Sequence, residues 1–164
     1  MKFIAGGWQN FFSDKPIQEK IARALLENGL RIEGRKIFCG KIEVKHKNLA
    51  KAVNCDRRAV NAAIDTIMAN GVLKKIFSEN APAGSMLKNA AKYFEWNVIE
   101  IQAESKKSGL GILAKAATVL ADKKIAIKQA YASDPDLNEF PTLTIIAHKK
   151  IRGRVVNQLL AIPG

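Results

Sequence analysis

Lys47-Asn48-Leu49-Ala50-Lys51-Ala52-Val53-Asn54-Cys55-Asp56-Arg57-Arg58-Ala59-Val60-Asn61-Ala62-Ala63-Ile64-Asp65-Thr66-Ile67-Met68-Ala69-Asn70-Gly71 is the stretch that decides how the first half folds. Leu49, Ala50 and Val53 fall on one side of a short helix, with Asn48 in the capping position. Asn54-Cys55 makes a tight turn, and Asp56 caps a second helix, Arg57 to Ala69. Val60, Ala63, Ile64, Ile67 and Met68 recur at spacings of three and four, which gives that helix a buried seam. Arg57, Arg58, Asn61, Ala62 and Asp65 take the opposite side. Asn70-Gly71 is expected to end the helix through a left-handed residue. Val72-Leu73-Lys74-Lys75-Ile76-Phe77 then reads as the start of a strand.

Working outward, Pro16 to Asn28 reads as a helix. Asp14 is its potential cap, Ile17, Ile21, Ala24, Leu25 and Leu26 form its apolar stripe, and Gly29 is its stop. Leu30 to Val44, with Gly34 and Gly40 between short apolar alternations, reads as a strand or hairpin. Ala81-Pro82-Ala83-Gly84 is a loop signal. Ser85 to Tyr93 fits a short linking helix or a returning strand.

Helix, tight turn, helix and basic strand resemble the recognition segment of winged-helix transcription regulators. The resemblance lays the second helix in a major groove of double-stranded DNA. It turns Arg57, Arg58, Asn61 and Ala62 to base edges, where Arg pairs with guanine and Asn with adenine. Lys45, Lys47, Lys51, Lys74 and Lys75 become phosphate contacts, which position the protein without reading sequence. The charge distribution points the same way. Residues 1–92 carry 17 Lys+Arg against 8 Asp+Glu, a balance of +9, whereas residues 93–164 carry 10 against 7, a balance of +3. A basic excess concentrated in one half suits a polyanionic partner.

From Asn97 the pattern changes. Val98, Ile99, Ile101 and Ala103 make a strand-like run, followed by a polar loop and Gly109-Leu110-Gly111. Ile112 to Ala121 is helical, Ile125 to Tyr131 and Thr142 to His148 are strands, and Gly153 to Ile162 is a helix. Strand–helix–strand–strand–helix is most of the ferredoxin-like βαββαβ unit. With Gly111-Ile112-Leu113 opening the first helix, this half resembles an ACT domain. Leu110 stands where that family has Pro, and Ser108 where ligand-binding members often have Asn or Asp. The resemblance implies a small-molecule effector, an amino acid, against Ser108, Gly109, Leu110, Gly111, Ile112 and, on the next strand, Ile125. Glycine lets an anion approach backbone N–H groups at the helix N-terminus.

The expected fold is therefore α+β: a winged helix-turn-helix over residues 1–92, then a ferredoxin-like ACT unit over 93–164 that lacks its last strand. In this fold that strand lies beside the first, whose bare edge is expected to pair in a homodimer. The expected function is a DNA-binding transcriptional regulator of amino-acid metabolism. A regulatory subunit docking a biosynthetic enzyme and an RNA-binding module are the alternatives.

Enzymatic chemistry finds no support in the sequence. Catalysis needs a nucleophile–base pair, paired carboxylates or an open metal site. His46 and His148 are isolated in sequence, and Asp134, Asp136 and Glu139 read as a solvated turn. Cys39 and Cys55 lack metal-binding spacing and read as small buried apolar residues. No phosphate-binding glycine motif is present, so no cofactor is expected. No apolar run reaches the roughly 20 residues of a membrane span, and the N-terminus lacks a signal core. The expected compartment is the cytoplasm.

Overall fold

The computed structural model describes residues 7–103, 110–135, 137–138, 140–148 and 151–162. These form two compact units that divide between Gly84 and Ser85, eight residues before the boundary expected from pattern. The described residues contain six α-helices and two three-stranded antiparallel sheets, a mixed α+β architecture. No helix among them is long and apolar enough to cross a membrane.

In the first unit, a 3-10 turn (Trp8–Phe12) leads into α1 (Pro16–Glu27). Pro16 occupies the first helical position, where its missing N–H costs nothing. The cap position falls on Lys15, with no side-chain bond, rather than on Asp14. Ile21, Ala22 and Leu25 face the core, while Ile17, expected in the apolar stripe, is 54% exposed and does not join it. Gly29 ends the helix at φ +59°, and a Cβ there would sit 2.4 Å from the backbone of Pro82. Both conformation and space demand glycine.

The segment expected as a strand or hairpin is a three-stranded meander: β1 (Leu30–Glu33), β2 (Lys36–Cys39) and β3 (Ile42–Val44), turning at Gly34 and Gly40. α2 (His46–Val53) begins three residues earlier than Leu49, which leaves Asn48 inside its first turn and Lys45 at the cap. Leu49, Ala50 and Val53 are buried as the spacing requires. Asn54 takes the left-handed conformation, φ +56°, and the Cys55 N–H returns to the Ala50 carbonyl at 2.9 Å. α3 (Arg57–Ala69) follows, with Asp56 accepting from the Ala59 N–H at 2.9 Å. Val60, Ala63, Ile64 and Ile67 are fully buried, and Met68 is half-buried. Burial of each larger member contributes roughly 1.5–3 kcal/mol.

The expected strand at Val72–Phe77 is instead a helix, α4 (Gly71–Glu79). Asn70 is not left-handed, at φ −103°, and its Oδ1 accepts from the N–H groups of Val72 (2.9 Å) and Leu73 (3.1 Å). One residue thus closes α3 and caps α4. Leu73 and Phe77, four apart, are fully buried on one side of α4, a helical spacing that overrides the β-prone composition. The strands of this unit precede the helix pair rather than follow it. Asn80 donates to the carbonyls of Leu25 (3.0 Å) and Leu30 (3.1 Å), which ties the end of α4 to the α1–β1 junction.

The second unit opens with turns and a 3-10 turn (Ala91–Phe94) rather than a returning strand. The Gln129 side chain accepts from the Leu87 N–H (3.0 Å) and donates to the Ser85 carbonyl (2.6 Å), holding this lead segment to the sheet. The chain continues as β4 (Asn97–Gln102), α5 (Ile112–Asp122), β5 (Ile127–Ala132), β6 (Thr142–Ala147) and α6 (Gly153–Leu160). The sheet order is β4-β6-β5. β6 is central and buried from Leu143 to Ala147, as a strand flanked on both sides should be. Leu143 and Ile145 join Ile112, Ala116 and Leu120 of α5 and Val155 and Leu159 of α6 in one core. β4 pairs with β6 and, among the described residues, with no other strand.

Candidate nucleic-acid interface

Arg57 and Arg58 stand in the first turn of α3, exposed, because Asp56 fixes the helix start and the Val60–Ile64–Ile67 seam fixes its rotation. Ala62 is exposed one turn further on. Beside them lies an open cleft of about 530 Å³, lined by the β1–β2 turn, β3, the start of α2 and the start of α3. Lys45, Lys47, Arg57 and Asn61 are brought together there. Lys51 is exposed on α2. Lys74 and Lys75 are exposed on α4, not on a basic strand, and do not line the cleft.

Of the nitrogen-bearing side chains lining the cleft, three escaped the sequence reading: Arg35, Lys36 and His46. The basic pair directly after Gly34 was the available signal for the first two. Nothing in spacing announces His46. Its Nε2 lies 2.8 Å from the Arg35 carbonyl and its Nδ1 2.7 Å from Asn61 Oδ1. A carbonyl only accepts, so Nε2 carries a hydrogen. The bond at Nδ1 then requires either a second ring hydrogen or the Asn61 amide turned to present its N–H group. In either case one end of the Asn61 amide is already engaged. The bidentate adenine contact expected of Asn61 would first have to break that bond.

Asp65, on the same side of α3, is paired too. The Arg35 guanidinium donates to both of its carboxylate oxygens, the Nη2–Oδ2 bond being 3.1 Å. Within the cleft, Glu43 accepts from Lys45 at 3.1 Å and Lys36 at 3.3 Å. Those two ammonium groups hold its carboxyl below the usual range. Cys39 and Cys55 are free thiols and only half-buried, not core residues. Burial, and then the Asp56 carboxylate, push the Cys55 thiol up, which disfavours the reactive thiolate.

In the second unit, Gly111 caps α5 at φ +80°, a conformation that selects glycine. Ser108 and Gly109 lie outside the described residues. Leu110 is 89% exposed, and Ile112 is buried. Both line a cavity of about 270 Å³ with Ile101, Leu113 and Leu143. Its polar wall is Ser133 and Thr142, and the Ser133 oxygen already accepts from the Thr142 N–H at 2.7 Å. Ile125 is not at this cavity but packs against the core, two residues before β5 begins. A second groove, about 420 Å³, runs along β4 beside Val156, Leu159 and Leu160 of α6. Among the described residues, no group of three or more His, Cys, Asp or Glu could hold a metal ion.

Compared with family models, curated proteins and solved structures, the chain matches none.

Proposed function

We propose that this chain is a DNA-binding transcriptional regulator whose second unit is an ACT-like sensor of a small metabolite, an amino acid, working as a cytoplasmic homodimer. The observation that carries the reading is a tight-turn helix pair whose second helix presents Arg57 and Arg58 at its exposed start, beside a cleft lined with lysine and arginine. In this reading α3 enters the major groove, Arg57 and Arg58 meet base edges, and Lys45 and Lys47 meet phosphates. The meander β1–β3 takes the place of a wing on the near side of the pair.

For the second unit, the support is the β-α-β-β-α order with the first strand beside the third. Its apolar cavity at Leu110 and Ile112 suits an aliphatic effector side chain, and β4, which among the described residues pairs with β6 alone, suits pairing with another copy.

The test is a gel-shift titration across salt, using a duplex selected from a random library and an unselected duplex of equal length. DNA reading predicts tighter binding to the selected duplex and log affinity falling steeply with log salt. Arg57→Ala with Arg58→Ala should lower the preference tenfold or more, since a good arginine–guanine pair discriminates by about 1–3 kcal/mol. Unchanged preference in that double variant would overturn the assignment of α3.

A further inference from the structure

Asn61, His46, Arg35 and Asp65 form a closed polar clasp. His46 is bonded to Asn61 through one ring nitrogen and to the main chain of Arg35 through the other. The Arg35 side chain returns to Asp65, one turn beyond Asn61 on the same helix. The β1–β2 turn is thereby fastened to both helices of the pair.

Stability does not account for the Arg35–Asp65 link. The two side chains are 63% and 51% exposed, and ion pairs this open contribute little to folding. What a bidentate fork supplies is orientation. It uses two of the five guanidinium N–H groups and leaves three for another acceptor. Arg35 itself lines the basic cleft with Lys36, Lys45, Lys47 and Arg57. Asp65 follows Arg58 by seven residues, two turns along the same face and roughly 10 Å further on. A duplex lying on Arg58 would therefore run past the Arg35–Asp65 pair. An uncompensated carboxylate there would repel phosphate, and Arg35 removes that obstacle while offering its remaining donors.

Resting on the DNA-binding reading above, we propose that the β1–β2 turn is a second DNA-contacting arm. Arg35 is its phosphate contact, and Asp65 is the positioning residue that aims it.

The experiment repeats the salt titration on the full chain with the selected and unselected duplexes, using Arg35→Ala, Asp65→Ala and the pair. Both residues are exposed, so the variants should fold; unchanged melting checks this. Arg35→Ala should lower the slope of log affinity against log salt by about 0.9, the loss of one phosphate contact. Asp65→Ala alone should weaken binding to the selected duplex although it adds net positive charge, whereas in the Arg35→Ala background, where the carboxylate stands uncompensated, it should restore part of the lost affinity. Equal tightening on both duplexes in Asp65→Ala would overturn the positioning role. An unchanged slope in Arg35→Ala, with Arg57 and Arg58 still required, would overturn the arm and leave the function standing. If neither Arg35 nor Arg57 and Arg58 matters, the DNA-binding reading itself fails.

Discussion

The two units solve the same problem, burying apolar surface in about 80 residues, to different degrees. In the first, the buried core draws on all four helices, on β1 and β2, and on Phe12 of the 3-10 turn. Asp56 and Asn70 cap α3 and α4 with side-chain bonds. Among its described residues only Ile17 and Ile42, of the large apolar side chains, are exposed by more than half. In the second, α5 and α6 start without side-chain caps, and β4 pairs, among the described residues, with β6 alone. Tyr93, Phe94, Leu110, Phe140 and Leu160 are each exposed by more than half. In the proposal above, the basic excess of the first unit serves the outside ligand, and the exposed apolar side chains of the second serve another copy.

Core truncation should expose this contrast most strongly. Ile64→Ala in α3 and Ile145→Ala in β6 each remove a fully buried side chain, at an expected cost of about 2–5 kcal/mol. Their dependence on protein concentration should differ. Association stabilises only the folded state, so the Ile145→Ala transition should rise as concentration rises. The Ile64→Ala transition should stay put. Calorimetry over a hundredfold concentration range reads both. Two concentration-independent transitions would remove the distinction between a self-sufficient and a dependent unit.

A gentler probe leaves the folds intact. Leu160 on α6 is 78% exposed at the lip of the groove along β4. Leu160→Arg should therefore cost almost nothing within the unit and yet convert dimer to monomer by light scattering, with Kd raised tenfold or more. A wild-type chain that is monomeric at micromolar concentration would sink the edge-pairing proposal outright.

The same contrast marks what was legible in the sequence. The Val60–Ala63–Ile64–Ile67 seam could be read because three- and four-residue spacing over thirteen residues has one solution, and Asp56 marks its start. The second unit's element order was readable because each element is a single run of one period. Val72–Phe77 misled because six apolar and basic residues satisfy either period. The deciding fact, that Asn70 closes α3 in an extended rather than left-handed conformation and so caps a following helix, is a dihedral angle and not a composition. Gly34 and Gly40 were visible as punctuation, but two turns mean three strands, not one hairpin. The Arg35–Asp65 pair spans thirty residues, and no local pattern encodes it.

The smallest expected effect concerns the one carboxylate among the cleft's cations, Glu43. Lys45 and Lys36 favour its ionised form, so its folded pKa lies below the unfolded value. Such a group contributes stability above the unfolded pKa, and the contribution disappears as pH falls through the folded pKa. The window is acidic, below the ordinary glutamate range, and neutral solution lies outside it. Lys45→Ala and Lys36→Ala should each move the Glu43 carboxyl back toward its usual value, Lys45 removing the larger hydrogen-bond contribution. A carboxyl-carbon NMR titration of the three proteins reads this directly. If wild-type Glu43 titrates in the ordinary range, the two lysines are unpaired in solution. The cleft would then carry both of them free, and the first unit would be more strongly set apart from the second by charge than the pairing implies.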